Sequence, residues 1–278
     1  MSVPPATIVV PTRERASYLD VALASIAPQA RAVDAELLVV LDGPDPQSAS
    51  VAERHGARVV TLPAPSGLNA ARNRGWQAAG GELIVFVDDD VRAPPTWLPA
   101  LLAAAAATPE RDVFAGPIRA VLEGGGPRAC GRERPPITAL DRGPADRDVK
   151  AGWGANLAIR RAALETVGGF EESIGGAGDE EEWQARHRAA GGRVRYVAAA
   201  GLDHRRARED ATLRALARAQ YGRGRSARRW DARRHAAPPL TAELRTLAGC
   251  LWHTARRRCA LGLVMGAHAL GRTREALA

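Results

Sequence analysis

Leu83-Ile84-Val85-Phe86-Val87-Asp88-Asp89-Asp90 is the stretch on which the reading of this chain turns. Five apolar residues in a row fit a strand buried on both faces, the kind found in parallel sheets that helices cover. Three carboxylates follow at once, and in an open parallel sheet ligands sit beyond the carboxyl ends of the strands. If the chain stays extended there, alternation sends Asp88 and Asp90 the same way. Two hard oxygens can hold Mg²⁺ or Mn²⁺, with the phosphates of a ligand filling further positions. The same acids also read as a solvated turn with helix-capping residues ahead of Trp97.

Outward from this stretch, β-branched runs alternate with helical patterns, which predicts an α/β chain with a mainly parallel central sheet. Strands are expected at Ala6–Val10, Glu36–Leu41, Arg58–Leu62, Leu83–Val87, Val113–Ile118, Asn156–Ile159 and Arg193–Val197. Helices are expected at Tyr18–Ile26, Gly67–Ala79, Trp97–Ala107, Arg161–Thr166 and from about Gly178 to Ala190. Residues 119–150, with Gly124-Gly125-Gly126 and Pro135-Pro136, read as a long irregular connection. After His204, Leu213, Leu216, Ala217 and Tyr221 mark an amphipathic helix that Gly222 and Gly224 are expected to interrupt. Leu240, Leu244, Leu247 and Leu251 then recur at helical spacing, ahead of Arg256-Arg257-Arg258 and the apolar run 260–270.

The 278 residues are 46% hydrophobic and 25% charged, the balance of a globular chain with a buried core. No window approaches the roughly 18 continuous apolar residues of a membrane span, and Pro4-Pro5 and Pro11 interrupt any signal-peptide core, so a cytoplasmic protein is expected. Cys130, Cys250 and Cys259 are too few and too irregularly spaced for a disulfide framework or a zinc cluster, and read as buried or incidental thiols. The net charge of +8 is uneven: residues 1–204 carry −4 and residues 205–278 carry +12. Every basic residue except Lys150 is arginine, a side chain suited to phosphates.

Further motifs accompany the acids. Thr7-Ile8-Val9-Val10-Pro11-Thr12-Arg13-Glu14-Arg15, Val39-Val40-Leu41-Asp42-Gly43, Gly67-Leu68-Asn69-Ala70-Ala71-Arg72-Asn73-Arg74-Gly75 and Asp88–Asp90 come in that order. They are followed by Gly152–Arg160, Gly168-Gly169-Phe170-Glu171-Glu172, Gly178-Asp179-Glu180 and Asp203-His204. In order and approximate spacing this series resembles the family 2 glycosyltransferases over roughly residues 6–204. The resemblance implies the GT-A (nucleotide-diphospho-sugar transferase) fold and inverting transfer from a nucleotide-sugar donor with Mn²⁺ or Mg²⁺. It divides the chain into a nucleotide-sugar-binding part, 1–117, an acceptor-binding part, 118–204, and a basic helical C-terminal extension, 205–278.

Carried across residue by residue, the resemblance assigns Pro11, Thr12, Arg13, Asp42, Asn69, Arg72, Asn73, Asp89 and Asn156 to the donor, and Asp88, Asp90 and His204 to the metal. Asp42 stands in Leu41-Asp42-Gly43-Pro44 where the family usually has paired acids before Gly-Ser, so it is also an Asp-Gly turn candidate. Inversion needs a base that takes the acceptor proton. The family places Glu-Asp there and this chain has Asp179-Glu180, so Glu180 inherits the role with Asp179 as its competitor. Trp153 and Trp183 flank the expected acceptor site.

A nucleotidyltransferase is the rival among enzymes, but Pro11–Arg15 supplies no phosphate-cradling Gly-rich signature. The basic tail raises nucleic-acid binding, yet Tyr221, Trp230 and Trp252 are too scattered for a stacking platform. The leucine stripe and arginines instead suit an anionic membrane surface on the inner face of the cell membrane, with packing on the catalytic part as the alternative. The acceptor stays open between a glycan, a lipid-linked sugar and a small molecule.

Overall fold

Each expected strand that precedes an expected site residue forms in the computed structural model, which describes residues 4–133 and 135–278. In chain order the elements are β1 (Ala6–Thr12), α1 (Ala16–Ala32), β2 (Glu36–Leu41), α2 (Pro46–Arg54), β3 (Arg58–Thr61), α3 (Leu68–Ala78), β4 (Leu83–Val87) and β5 (Val91–Arg92). Next come α4 (Trp97–Ala107), β6 (Val113–Ala115), β7 (Ile118–Leu122), β8 (Arg147–Val149), β9 (Asn156–Arg160), α5 (Arg161–Val167) and α6 (Asp179–Ala189). The chain ends with β10 (Val194–Tyr196), β11 (Leu202–Arg206), α7 (Leu213–Arg233), α8 (Leu240–Arg257) and α9 (Ala260–Ala276).

Two compact units are formed. The first holds the chain up to Arg119 with Thr138–Ser173 and Asp179–His204; the second holds Ala120–Ile137, Ile174–Gly178 and Arg205–Ala278. The first is organised on an eight-stranded sheet in the order β3-β2-β1-β4-β9-β6-β10-β8. β1, β2, β3 and β4 run parallel, β9 is antiparallel to β4 and β6, and β10 is parallel to β6.

Burial on both faces explains the unbroken apolar runs. Along β1, Ile8 and Val10 enter one core and Val9 the other; along β4, Leu83, Val85 and Val87 oppose Ile84 and Phe86. The first core is completed by α1, α2 and α4, the second by α3, α5 and α6. Gly75 lets α3 lie close on the sheet, since a Cβ there would stand 2.3 Å from Val9 Cγ1. At the amino ends of the strands the Glu36 carboxylate accepts from Thr7 Oγ1 at 2.6 Å, the Gly80 amide at 2.7 Å and Arg58 Nη2 at 2.6 Å. The opposite ends carry the chemistry.

Four local expectations change. The strand expected over Val113–Ile118 splits into β6 and β7, because Gly116 approaches the Ala200 carbonyl too closely for any Cβ and Pro117 has no N–H to give a ladder. The short helix α2 was not foreseen; Asp45 caps it by accepting from Ser48 N at 3.0 Å. The connection 119–150 contains β7 and β8.

In the second unit, α7 continues through Gly222 and Gly224. A Cβ on Gly224 would lie 2.1 Å from the His268 carbonyl oxygen, and one on Gly271 would lie 2.1 Å from that of Tyr221. Both glycines serve a close crossing of α7 and α9. Neither ends a helix.

Candidate active site

The site residues come from the carboxyl ends of β1 and β4, the start of α3, the start of α6 and the middle of β11, all within the first unit. Asp88, Asp89 and Asp90 fill the turn between β4 and β5. Pairing of β11 with β5 sets His204 opposite Val91, so a histidine far along the sequence arrives beside the triplet. Asp88, Asp90 and His204 each present a ligand atom, all within 4.8 Å of one another.

His204 Nδ1 meets the Thr138 carbonyl at 3.2 Å, which fixes Nδ1 as the protonated nitrogen. Its Nε2 faces Asp90 Oδ1, 3.0 Å away. Burial, then Asp90, raises the Asp88 pKa; burial raises that of Asp89 to about 7, with Asp90 adding to the effect of burial and Arg15 opposing it. This crowding of carboxylates beside an imidazole fits a divalent cation bound by oxygen and nitrogen.

Arg15 was not singled out from the sequence. Its guanidinium reaches Asp89 Oδ1 at 2.6 Å and Asp90 Oδ2 at 2.9 Å, and lies 4.3 Å from the centre of the Tyr18 ring. Burial works against the Arg15 charge, but Asp89 and Asp90 outweigh it and raise its pKa. Thr12 Oγ1 donates to Asp89 Oδ2 at 2.7 Å. Asp89 is thus held from two sides, which leaves Asp88, 28% exposed, as the most open of the three acids. Pro11 is buried and Arg13 exposed.

Asp42 closes β2 and accepts the amides of Ser66 at 2.6 Å and Gly67 at 3.1 Å, so its carboxylate orders the turn that enters α3. One turn on, Asn69 donates to the carbonyls of Glu171 and Asp179 at 2.9 and 3.3 Å. Asn73 donates to the Phe170 carbonyl at 2.9 Å and accepts from the Phe170 amide at 2.8 Å. These two amides tie α3 to the segment that leads to α6.

Between them Arg72, 3% exposed in its side chain, donates through Nη1 to Asp179 Oδ2 at 2.7 Å and brings Nη2 within 3.9 Å of Asp88. A Cβ at Gly154 would fall 2.1 Å from Arg72 Nη2, so glycine there gives the guanidinium its room. Burial opposes the Arg72 charge, and Asp179, Glu180 and Asp88 together overcome it. The paired acids diverge: despite burial, Arg72 holds Asp179 below the ordinary carboxylate range, while burial and then Asp179 push Glu180 well above it. Glu180 Oε1 accepts from Gly154 N at 3.2 Å.

Residues 7–168 match the model of glycosyl transferase family 2. The chain belongs to this family. The pre-mycofactocin glycosyltransferase of Mycobacterium tuberculosis is 30% identical over 210 residues, covering 72% of this chain and 43% of that protein. The glucosyl-dolichyl phosphate glucuronosyltransferase of Haloferax volcanii is 24% identical over 152 residues, covering 52% of this chain and 49% of its own. The chain thus spans about half the length of these relatives or less. A mannosyltransferase of Pyrobaculum calidifontis, solved with GDP-mannose and Mn²⁺, superposes with a TM-score of 0.67 at 18% identity, over 100% of this chain and 88% of that one. The GT-A fold expected from the motifs is the fold observed.

Family motifs place two expected contacts differently. Asn156 pairs with Val87 across β9 and β4 and is fully buried; its amide donates to the carbonyls of Pro117 and Ala200 and accepts from Trp97 Nε1. With those groups engaged it fastens the sheet and has no face for a donor. Trp183 is also fully buried, stacked on His187 with its Nε1 donating to the Gly168 carbonyl at 2.6 Å, and so belongs to the core and not to an acceptor wall. Trp153 remains half-buried between Gly152 and Gly154.

Proposed function

We propose that the chain transfers a sugar from a nucleoside-diphosphate sugar to an acceptor hydroxyl in one inverting displacement that depends on Mn²⁺ or Mg²⁺. The observation that carries this reading is the divergence of Asp179 and Glu180 around Arg72, next to the Asp88, Asp90 and His204 cluster. Asp88, Asp90 and His204 would hold the cation, which when bound offsets negative charge on the departing diphosphate. Glu180 takes the proton from the acceptor hydroxyl as its oxygen bonds to the anomeric carbon. The bond from that carbon to the diphosphate oxygen breaks, and the electron pair leaves with the nucleoside diphosphate.

In this reading Asp179 stays ionised and holds Arg72 in place, so it positions the site and does not move the proton. Arg72 faces the region between the base and Asp88, where it favours a diphosphate. Pro11, Thr12, Arg13, Asp42 and Asp89 line or order the nucleotide side; Asn69 and Asn73 act through the α3 connection. Trp153 is assigned to the acceptor. The leucines of α8 that face water, with the arginines beside them, support an anionic membrane surface as a partner.

The test is a panel of UDP- and GDP-sugars, each with Mn²⁺ or Mg²⁺, read by thermal shift and by release of nucleoside diphosphate. One donor should raise the melting temperature only with metal, and D88A and D90A should each abolish turnover without unfolding the chain. Full-rate transfer in excess EDTA would sink the metal-dependent reading.

A further inference from the structure

In the second unit, four side chains from distant parts of the sequence converge: Cys130, Glu133, His253 and Cys259. One ligand atom from each lies within 4.8 Å of all the others. Glu133 Oε1 is the hub, accepting from Cys130 Sγ at 2.8 Å and from Cys259 Sγ, with His253 Nε2 at 3.1 Å. His253 Nε2 also lies 3.4 Å from Cys130 Sγ. We propose that these residues form a four-coordinate structural zinc site, separate from the acidic cluster of the first unit.

Donor chemistry and spacing both point there. Two thiols, an imidazole and a carboxylate are ligands zinc takes, and a tetrahedron with bonds of about 2.0–2.3 Å has edges of about 3.3–3.8 Å. Contacts of 2.8–3.4 Å, within an overall limit of 4.8 Å, need only a small expansion to admit the ion. The Glu133 side chain is 1% exposed and accepts the backbone amides of Cys130 and Arg132 as well, which hold its carboxylate in place between the two thiols and the imidazole. A disulfide would need no carboxylate oxygen between its sulfurs.

On binding, both thiols lose their protons to solvent and the sulfurs bond to Zn²⁺ with no change of oxidation state. The resulting single negative charge lies on residues whose sequence neighbours, Arg132 and Arg258, are basic. Gly262 opens α9 beside the site, where a Cβ would stand 3.1 Å from His253 Cδ2, and a cavity lined by Arg132, Cys250, His253 and Met265 gives the ion a way in. The site fastens the segment that carries Cys130 and Glu133 to the turn between α8 and α9, where the Leu261 amide already bonds the Arg128 carbonyl.

Full-length chain purified without chelator or a metal-affinity column should contain about one zinc per molecule by plasma mass spectrometry. The C130S/C259S double variant should lose it, and D88A/D90A should keep it, which separates this site from the proposed catalytic cation. Because the double variant could fail to fold, metal-free wild type titrated with Co²⁺ gives an independent readout: thiolate-to-cobalt charge transfer and tetrahedral visible bands at one equivalent. No zinc together with no thiolate–cobalt band overturns the proposal. So does zinc retained in full by C130S/C259S, or a Cys130–Cys259 disulfide in chain isolated without air.

Discussion

Glu180 and Asp179 share one corner of the site yet differ in what surrounds them, and that difference decides their roles. Asp179 is locked to Arg72 at 2.7 Å, whereas burial and the neighbouring charge keep Glu180 basic. E180Q keeps the shape, so it should leave donor binding intact and slow transfer by about two to four orders of magnitude. A base must be ionised to act, and the raised Glu180 pKa moves the acid limb of kcat/KM above the ordinary carboxylate range; E180Q should erase that limb from the residual rate. D179N instead removes the nearest charge that compensates the buried Arg72, leaving Asp88 at 3.9 Å, and should lower stability by about 1–3 kcal/mol. If D179N folds normally and alone removes the acid limb, the base is Asp179. The sequence made Asp88, Asp90 and His204 legible because a motif fixes their order. It concealed Arg15, since nothing in Arg13-Glu14-Arg15 tells which guanidinium folds back over Tyr18 onto the acids. Asn156 and Trp183 misled for the reverse reason: a polar or aromatic residue inside a site motif reads as a contact until its own partners are seen.

At the scale of elements, the strands were legible because double-sided burial writes a continuous apolar run, and the helix α6 because its acids gather at one end and its bases at the other. Glycine within a helical pattern carries no such plain meaning. Gly222 and Gly224 differ by two positions and have opposite surroundings: a Cβ on Gly222 meets nothing within 4 Å, and one on Gly224 collides with the carbonyl of His268. G222A should therefore stabilise α7 by about 0.5–1 kcal/mol through helix propensity. G224A must force α7 and α9 apart and should cost about 1–3 kcal/mol or more. Chemical denaturation of the two variants measures both. Equal effects of the two substitutions would show that α7 and α9 do not cross closely at Gly224. The cysteines were opaque for a related reason, since only the turn from α8 into α9 brings His253 and Cys259 to the segment holding Cys130.

For the whole molecule the unresolved question from the sequence was whether the leucines of the basic tail pack inward or face outward. On α8 two of the four stripe leucines face outward, Leu244 at 47% and Leu251 at 53% exposed, with Trp252 at 68%, while Leu240 and Leu247 are half-buried. Glu243 on the same helix is buried and paired with Arg272 of α9, so the polar residue turns in while Leu244 and Leu251 turn out. No helix among the described residues is long and apolar enough to cross a membrane. A helix with bare leucines, an exposed tryptophan and Arg256-Arg257-Arg258 at its end instead has the chemistry to lie in a headgroup layer, where each basic residue gains about 1 kcal/mol near anionic lipid. The net +12 of residues 205–278 extends that attraction beyond the helix. Full-length chain should sediment with vesicles containing phosphatidylglycerol and not with neutral phosphatidylcholine vesicles, and high salt should release it, because screening shortens the reach of the arginines. Replacing Leu244, Leu251 and Trp252 with Ser should abolish sedimentation while the folded chain still binds its donor, since none of the three belongs to the first unit. Sedimentation unchanged by those three substitutions would leave only the charge attracting lipid and would remove α8 as the docking face.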